Sequence, residues 1–378
     1  MVQQQRLLDE FFDLVRTDSE TKHERAICDL LIEKFTSLGL TVTEDDTAAA
    51  TGHGAGNVLA DWAPAEGAED AAPILFTCHM DTVTPGKGIQ PRLDNDGYIR
   101  SDGTTILGSD DKAGLATMLE AIRVVQEHNI PHGRIQFVIT AGEESGLVGS
   151  RAMDARVLEA KYGYALDSDG KIGMICIAGP TQTKLRITVK GKSAHAGVNP
   201  QDGISAIAVA AKAVSRMPLG RIDSETTANI GRFEGGGETN IVADHVVITA
   251  EARSLVEEKM KAQVADMREA FDSACKDYGA TFEFEEQVLY PAYKFDDNAP
   301  VVQLAKKAFE SLGIESGTFE SGGGSDANNF NGMGVPTVNL AIGYEHIHTT
   351  KEQIRLSDLV DAARAVVAII EQAAKTKA

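Results

Sequence analysis

Hydrophobic positions in the first half of the chain alternate between helical spacing and short strand-like runs. Helical spacing is seen at Leu7, Leu8, Phe11, Phe12 and Val15, at Ile27, Leu30, Leu31 and Phe35, and across residues 112–127. Apolar runs typical of buried strands occupy residues 57–62, 74–78, 135–140 and 164–166. Helices and strands in alternation favour an α/β fold built on a mostly parallel or mixed sheet.

The spacing changes near Pro180. From there the pattern predicts a strand at 184–190, a helix at 204–217, strands at 226–233 and 241–253, a helix at 257–278 and a strand at 281–288. This β-α-β-β-α-β order is that of a ferredoxin-like unit, which folds by itself. After Pro291 the earlier alternation returns, with a helix at 301–312, a strand at 335–341 and a closing helix at 357–374. We therefore predict one α/β domain of residues 1–181 and 291–378, with a ferredoxin-like domain inserted at 182–290.

The net charge of the chain disfavours anionic partners. The 36 lysines and arginines stand against 56 aspartates and glutamates, a net charge of −20 that repels phosphate backbones and anionic lipid surfaces. Nucleic-acid and membrane partners are therefore not expected.

No apolar run is long enough to span a bilayer, and the first ten residues do not resemble a signal peptide, so we expect a cytoplasmic protein. The four cysteines are far apart and form no CxxC pair, which is typical of free thiols in a reducing compartment.

Four predicted strands run directly into residues that commonly bind metals. The segments are His79-Met80-Asp81, Gly142-Glu143-Glu144, Asp167-Ser168-Asp169 and His346-Ile347-His348. Ligands of open α/β sheets bind beyond the carboxyl ends of the strands, so these groups are expected to meet in one crevice.

The arrangement within these segments indicates how they could divide their roles. His79 and Asp81 are two residues apart in a strand and can face the same point. Gly142 allows the chain to turn, so that one of the two glutamates after it can bind a metal while the other acts on a neighbouring water. Asp110 and Asp111 open a predicted helix, and two aspartates exceed what an N-cap needs; one carboxylate can bridge two cations. Two imidazoles and four carboxylates without a thiolate suit zinc, with cobalt or manganese as possible substitutes.

Other catalytic patterns are absent from the sequence. Gly191-Lys192-Ser193 lacks the glycine that a phosphate-binding loop has five positions earlier, and Gly52 to Gly56 misses the dinucleotide-binding spacing. No GxSxG motif occurs. Nucleotide binding and serine hydrolase chemistry are therefore not supported.

Seven short motifs together resemble a known family. They occur in the order CHMDTV, LGSDDKAG, TAGEESG, ALDSDG, GKSAHAG, GGGSDAN and IHTTKEQI, with the inserted domain beginning after the fourth. In this combination the chain resembles, over essentially its whole length, the dinuclear zinc exopeptidases that include peptidase T, carboxypeptidase G and succinyl-diaminopimelate desuccinylase. The likeness is strongest to the peptidase T group, which are tripeptide aminopeptidases.

The resemblance implies a role for each residue of the predicted crevice. His79, Asp110 and Asp167 would bind one zinc ion, and Asp110, Glu144 and His348 the other, with Asp110 as the bridge and a cis peptide bond between Asp110 and Asp111. Asp81 would hydrogen-bond the far nitrogen of His79, and Glu143 would be the general base. Asp169 is an alternative to Asp167, because this chain has Asp-Ser-Asp where relatives such as peptidase T have Asp-Gly-Gly. His346 is an alternative to His348, although His348 has the family's spacing to Glu352.

For the inserted domain, the resemblance implies dimerisation and a lid over the substrate. His195 would reach the partner's active site to help hold the oxyanion, and Asn240 and Arg253 would bind substrate. The sequence thus predicts a homodimeric two-zinc aminopeptidase that acts on short peptides. Two alternatives remain open: an acylase or carboxypeptidase of the same family that cleaves an N-acyl amino acid, and a metal-binding scaffold without catalysis.

Overall fold

The computed structural model describes residues 1–377, which divide into two compact units. The first unit consists of Met1–Ala178, Lys294–Ser321 and the residues from Ser325 onward. The second unit consists of Gly179–Tyr293 with Gly322–Gly324.

The first unit begins with alternating helices and strands. In chain order they are α1 (Gln4–Arg16), α2 (Arg25–Ser37), β1 (Thr41–Glu44), α3 (Thr47–Thr51), β2 (Val58–Trp62), β3 (Ile74–His79), β4 (Arg92–Leu93), β5 (Tyr98–Arg100), α4 (Ser109–Glu127), β6 (Ile135–Thr140), α5 (Val148–Ala152), β7 (Tyr162–Ser168) and β8 (Met174–Gly179). The short elements β1, α3, β4 and β5 have too few apolar residues for the hydrophobic pattern to predict them.

The second unit carries one five-stranded sheet and two helices. Its elements are β9 (Thr181–Lys190), α6 (Ala206–Arg216), β10 (Gly220–Arg221), β11 (Thr226–Gly235), β12 (His245–Ser254), α7 (Glu257–Tyr278) and β13 (Thr281–Tyr290). The sheet order is β10-β11-β12-β9-β13, and neighbouring strands are antiparallel. Apart from the two-residue strand β10, this is the β-α-β-β-α-β succession of a ferredoxin-like unit.

The remaining elements complete the first unit. They are β14 (Tyr293–Lys294), α8 (Pro300–Ser311), β15 (Gly317–Glu320), α9 (Asp326–Gly332), β16 (Thr337–Ala341), β17 (Tyr344–Glu345), β18 (Gln353–Arg355) and α10 (Leu356–Ala374). Strands β17, β18, β5 and β4 form a small sheet of their own, in that order.

The large sheet of the first unit has the order β1-β2-β6-β3-β7-β16-β8-β14, with β15 paired to β8. Its central strands β6, β3, β7 and β16 are parallel, whereas β1 and β2 are antiparallel to their neighbours. The sheet is therefore mixed, as the alternation of elements predicts.

Strands β3 and β6 are buried along their whole length because apolar residues pack on both faces of the sheet. On one face Phe137 stacks between Phe35 and Phe76, with ring centroids 5.8 and 5.9 Å away. On the other face Leu75 and Val138 pack with Phe330. Because these strands are largely apolar on both faces, the residues with metal-binding side chains stand where the strands end.

Two observations bear on the environment of the chain. All four cysteines are buried, and none of them forms a disulfide with another described cysteine. None of the helices within residues 1–377 combines the length and the hydrophobicity that a membrane span requires.

Candidate metal centre

The carboxyl ends of three neighbouring parallel strands bring together most of the residues predicted to bind metal. His79 ends β3 and pairs with Thr140 at the end of β6. Glu143 and Glu144 follow β6 in a turn, and Asp167 lies near the end of β7. The beginning of α4 contributes Asp110, and the segment between β17 and β18 contributes His348.

Asp110 stands between the two histidines. Its Oδ1 lies 3.0 Å from Nε2 of His79, and its Oδ2 lies 3.2 Å from Nε2 of His348. Asp167 Oδ1 is 3.6 Å from Nε2 of His79, and Glu144 Oε1 is 3.0 Å from Nε2 of His348. Each histidine therefore has one further carboxylate of its own and shares Asp110 with the other, which is the arrangement expected around two cations.

The carboxylates are crowded and poorly solvated. Burial, with the like charge of Asp110, raises the pKa of Asp167 to about 7. Burial also raises the pKa of Glu144. Hydrogen bonds to Asp110 and Glu144 raise the pKa of His348 to about 10, because the imidazolium form supplies positive charge to this cluster. The cluster therefore favours cations, whether protons or metals.

Two groups of potential ligand atoms lie close enough together to hold a cation. One group of potential ligands is His79, Asp110 and Glu144; another is His79, Asp111 and Asp167; within each group the atoms lie within 4.8 Å of one another. Asp111 accepts the main-chain N–H of His79 at 3.2 Å, whereas both oxygens of Asp110 face an imidazole. Imidazole nitrogen and carboxylate oxygen fit zinc, cobalt or manganese, and Asp110 is better placed than Asp111 to bridge.

Asp81 holds both His79 and the turn after β6. Nδ1 of His79 lies 2.9 Å from the main-chain oxygen of Asp81 and 3.5 Å from its Oδ1. The two carboxylate oxygens of Asp81 accept the main-chain N–H groups of Glu143, at 3.0 Å, and Glu144, at 3.2 Å. The hydrogen bond from the far nitrogen of His79 is therefore accepted by the main-chain oxygen of Asp81, whereas the carboxylate of Asp81 fixes the turn that carries the expected base.

Glu143 differs from Glu144 in its partners. Glu144 contacts His348, whereas Glu143 belongs to neither group of potential ligands. Burial, together with the charges of Asp167, Asp326 and Glu144, raises the pKa of Glu143 well above its ordinary value. A poorly solvated carboxyl group beside a metal centre can accept a proton and keep it, as a general base must.

Comparison with known proteins identifies the family. Residues 75–372, well over half of the chain, match the family described as Peptidase family M20/M25/M40. The chain belongs to this peptidase family.

Among solved structures, the aminopeptidase PepT from Bacillus cereus is 59% identical, with a TM-score of 0.92 and 99% of both chains covered. A tripeptidase from Staphylococcus aureus is 46% identical, with a TM-score of 0.95 and 100% of both chains covered. Peptidase T of Geobacillus kaustophilus is 28% identical over 398 residues, which cover 94% of this chain and 92% of that protein.

Membership of the M20/M25/M40 family confirms three predictions made from the sequence. The peptidase T-like resemblance is confirmed by the family match and the two similar structures. The mixed α/β fold and the metallopeptidase class are confirmed with it. The non-catalytic scaffold is accordingly the weaker alternative for a member of this peptidase family.

The geometry of this M20/M25/M40 peptidase also distinguishes the alternative ligands. Asp169, His346 and His348 are all exposed, and none of the three belongs to the two groups of potential ligands, so direct contacts decide between the alternatives. Asp167 and His348 contact the other ligand candidates directly. The peptide bond between Asp110 and Asp111 is cis, as the resemblance implies.

The residues predicted to bind substrate lie in the second unit. His195 is exposed, and its Nδ1 accepts the main-chain N–H of Gly197 at 3.1 Å. Its loop is tied to the segment of Asn240, whose main-chain oxygen accepts the N–H of Ala196 at 2.8 Å. Arg253 in β12 pairs with Glu251 at 2.9 Å. The structure thus brings His195 and Asn240 close together, and Arg253 has a salt-bridge partner within its own strand.

Three residues that support the centre were not predicted from the sequence. Asn339 in β16 exchanges two hydrogen bonds with the main chain of Asp167, at 2.9 and 2.6 Å. The hydroxyl of Tyr344 donates to Oδ1 of Asp167 at 3.0 Å. Asp326 accepts hydrogen bonds from the hydroxyls of Thr140 and Ser150. A polar residue inside the apolar strand 337–341 was the available signal for Asn339, and Asp326 lies within the GGGSDAN motif, whereas Tyr344 carries no such signal.

Asp110→Ala tests the shared carboxylate. The variant should bind both cations more weakly, by more than the roughly 10- to 100-fold typical of losing a supporting residue, because a bridge serves both positions. Metal content per chain after dialysis against a chelator, measured by mass spectrometry of the metal, gives the result. Asp169→Ala is the matched control, since it removes an exposed carboxylate nearby and should keep parental metal content. Two cations retained with parental affinity in Asp110→Ala would rule out the bridge.

Proposed function

We propose that this chain is a cytoplasmic two-zinc aminopeptidase that removes the N-terminal residue from short peptides, with cobalt or manganese as possible substitutes for zinc. The observation that carries the proposal is the position of Asp110, with one oxygen toward His79 and the other toward His348. The similar proteins described as an aminopeptidase PepT, a tripeptidase and a peptidase T support the substrate class. Four buried cysteines that form no disulfide with one another fit a reducing compartment.

The proposed metal ligands are His79, Asp110, Glu144, Asp167 and His348, with Asp110 shared. When bound, zinc would polarise the scissile carbonyl and lower the pKa of a nearby water. Glu143 would take a proton from the attacking water and return it to the nitrogen of the leaving amine. Its raised pKa supports both steps, because the protonated form must last until the peptide bond breaks. Asp81 would keep Glu143 aimed at the water through the main-chain N–H that it accepts.

An acylase or carboxypeptidase of the same family would use the same ligands. An aminopeptidase and an acylase differ in the substrate nitrogen that they require. An aminopeptidase acts on a peptide whose terminal nitrogen is a free amine, whereas an acylase acts on an amino acid whose nitrogen carries an acyl group. Cleavage of a panel of free and N-acetylated peptides distinguishes these activities directly.

The zinc-loaded protein should release the first residue from di-, tri- or tetrapeptides with a free amino terminus. It should leave the N-acetylated forms of the same peptides intact, because acetylation removes the charged amine. Chromatography of the released amino acids identifies which bond is cut. Faster cleavage of the acetylated set would instead assign the acylase function, and release of the last residue would assign a carboxypeptidase.

Glu143→Gln tests the base. Turnover should fall by roughly a hundredfold to ten-thousandfold while metal content stays parental, because the amide keeps the shape of the side chain but cannot take a proton. Glu144→Gln is the matched control: it makes the same change one residue later and should weaken metal binding, since Glu144 contacts His348. If Glu143→Gln loses metal and Glu144→Gln does not, the two roles are exchanged.

We further propose that the protein is a homodimer joined through its second unit, with His195 acting in the partner's active site. Beyond its short pairing with β10, strand β11 is a free edge of the five-stranded sheet. Exposed apolar side chains support an interface: Val198 is 75% exposed, Ile241 50% and Phe233 40%. In a two-fold dimer the same surface meets itself, so one interface would serve both active sites. Asn240 and Arg253 are proposed to bind substrate from the same unit.

Mixing two inactive variants tests His195 across the dimer. Glu143→Ala and His195→Ala should each be nearly inactive as homodimers. After exchange of subunits, about half of the dimers are mixed and each has one intact site, so roughly a quarter of parental activity should return. Native mass spectrometry establishes that subunits have exchanged. Exchange without recovery of activity would show that His195 does not serve the partner's site.

A further inference from the structure

Glu352 is a buried carboxylate outside the proposed ligand set. It is 2% exposed and lies four residues after His348. Its carboxylate accepts four hydrogen bonds, all from the stretch that leads into α4. The donors are the N–H of Leu107 at 2.9 Å and of Gly108 at 2.9 Å to Oε2, and the hydroxyl of Ser109 at 2.6 Å and the N–H of Asp110 at 3.0 Å to Oε1.

The stretch curls around this carboxylate. Gly108 has a φ of 75°, in the left-handed region that favours glycine, which allows consecutive N–H groups to converge on one acceptor. The last of these donors belongs to Asp110 itself, so Glu352 holds the main chain of the proposed bridging ligand and contacts neither of its carboxylate oxygens.

Glu352 is itself fixed by the small sheet. Strand β17 pairs with β18 through Glu345 and Gln353, and β18 pairs with β5 through Gln353 and Arg100. The segment 346–352 is therefore closed at both ends by this pairing, with His348 inside it and Glu352 at its end. The segment 346–352 thus supplies the proposed ligand His348 and also Glu352, which holds the proposed ligand Asp110.

We infer that Glu352 is a positioning residue that sets the distance between Asp110 and His348, and so determines how tightly both cations are bound. The inference rests on the ligand set of the proposed function. A direct part in the reaction does not fit the contacts, because each oxygen of Glu352 already accepts two hydrogen bonds and the side chain is buried.

Glu352→Gln is the principal test. In the variant, a side-chain amide nitrogen replaces one of the two carboxylate oxygens, and an amide nitrogen cannot accept a hydrogen bond. The two groups that donated to that oxygen would therefore face another donor. We expect a roughly 10- to 100-fold loss of zinc affinity that affects both cations, the range seen when a residue supporting a ligand is removed. Titration of the metal-free protein with zinc, in competition with a chelating dye, measures this without any peptide. In zinc-saturated protein, kcat should fall while KM for the peptide stays near the parental value.

Two further variants make the test specific. Glu33→Gln makes the same change at an exposed position of α2 and should bind zinc as the parent does. Ser109→Ala removes one of the four hydrogen bonds and should cost a few-fold in zinc affinity at both positions. Because Ser109 acts through Glu352, Ser109→Ala should cost little more when added to Glu352→Gln than Glu352→Gln costs alone.

The outcomes separate positioning from a general structural role. If Glu352→Gln lowers the melting temperature of the metal-free protein but leaves zinc affinity parental, the inference is overturned. If Glu352→Gln does not fold, Ser109→Ala decides: parental zinc affinity in that variant overturns the inference equally. If the parent binds two zinc ions but cleaves no peptide, the proposed function fails while the metal titrations still test Glu352.

Discussion

Three carboxylates and two imidazoles crowd the end of a buried sheet, and their mutual electrostatics determine what the site formed there can bind. Asp110 lies within 3.0 to 3.2 Å of both histidines, and Asp167 and Glu144 each approach one of them. Taking these carboxylates out of water is unfavourable unless positive charge accompanies them. The pKa of His348, raised to about 10, and that of Asp167, raised to about 7, both follow from that need. A pair of divalent cations would meet it more completely than protons, because each cation can contact several carboxylates at once.

The fold makes this crowding possible because the apolar core lies along the strands and the charged residues lie beyond their ends. Strands β3 and β6 are apolar on both faces, so their packing stabilises the sheet without any contribution from the polar residues beyond them. Because β6, β3 and β7 are adjacent and parallel, their last residues lie at one edge of the sheet. The stability of the aromatic stack around Phe137 can then offset the unfavourable energy of collecting like charges at that edge.

The sequence alone predicts much of this arrangement, for identifiable reasons. Buried parallel strands leave strong apolar runs, and a ligand that follows each run directly, such as His79, is visible as a motif. The family resemblance then distinguishes Asp110 from Asp111, which spacing does not. Residues that act through tertiary contacts are different: Tyr344 contacts Asp167 only because the chain returns to the centre late in the sequence. Hydrophobic pattern also does not predict short elements such as β4 and β5. Strand β4 pairs with β5, and β5 in turn pairs with β18, whose residues are more than 200 positions away.

Three of the proposed ligands, Asp110, Glu144 and Asp167, are held through their main-chain groups. Asn339 holds Asp167 by its main chain, Glu352 holds Asp110 by its N–H, and Asp81 holds Glu144 by its N–H. Fixing a ligand through its backbone orients the side chain without occupying the oxygens that a cation needs. Asp81 extends this to Glu143, since one carboxylate accepts the N–H groups of both adjacent glutamates. The proposed base and the proposed ligand beside it are therefore positioned by a single group, and movement of either one away from the centre would disturb the other.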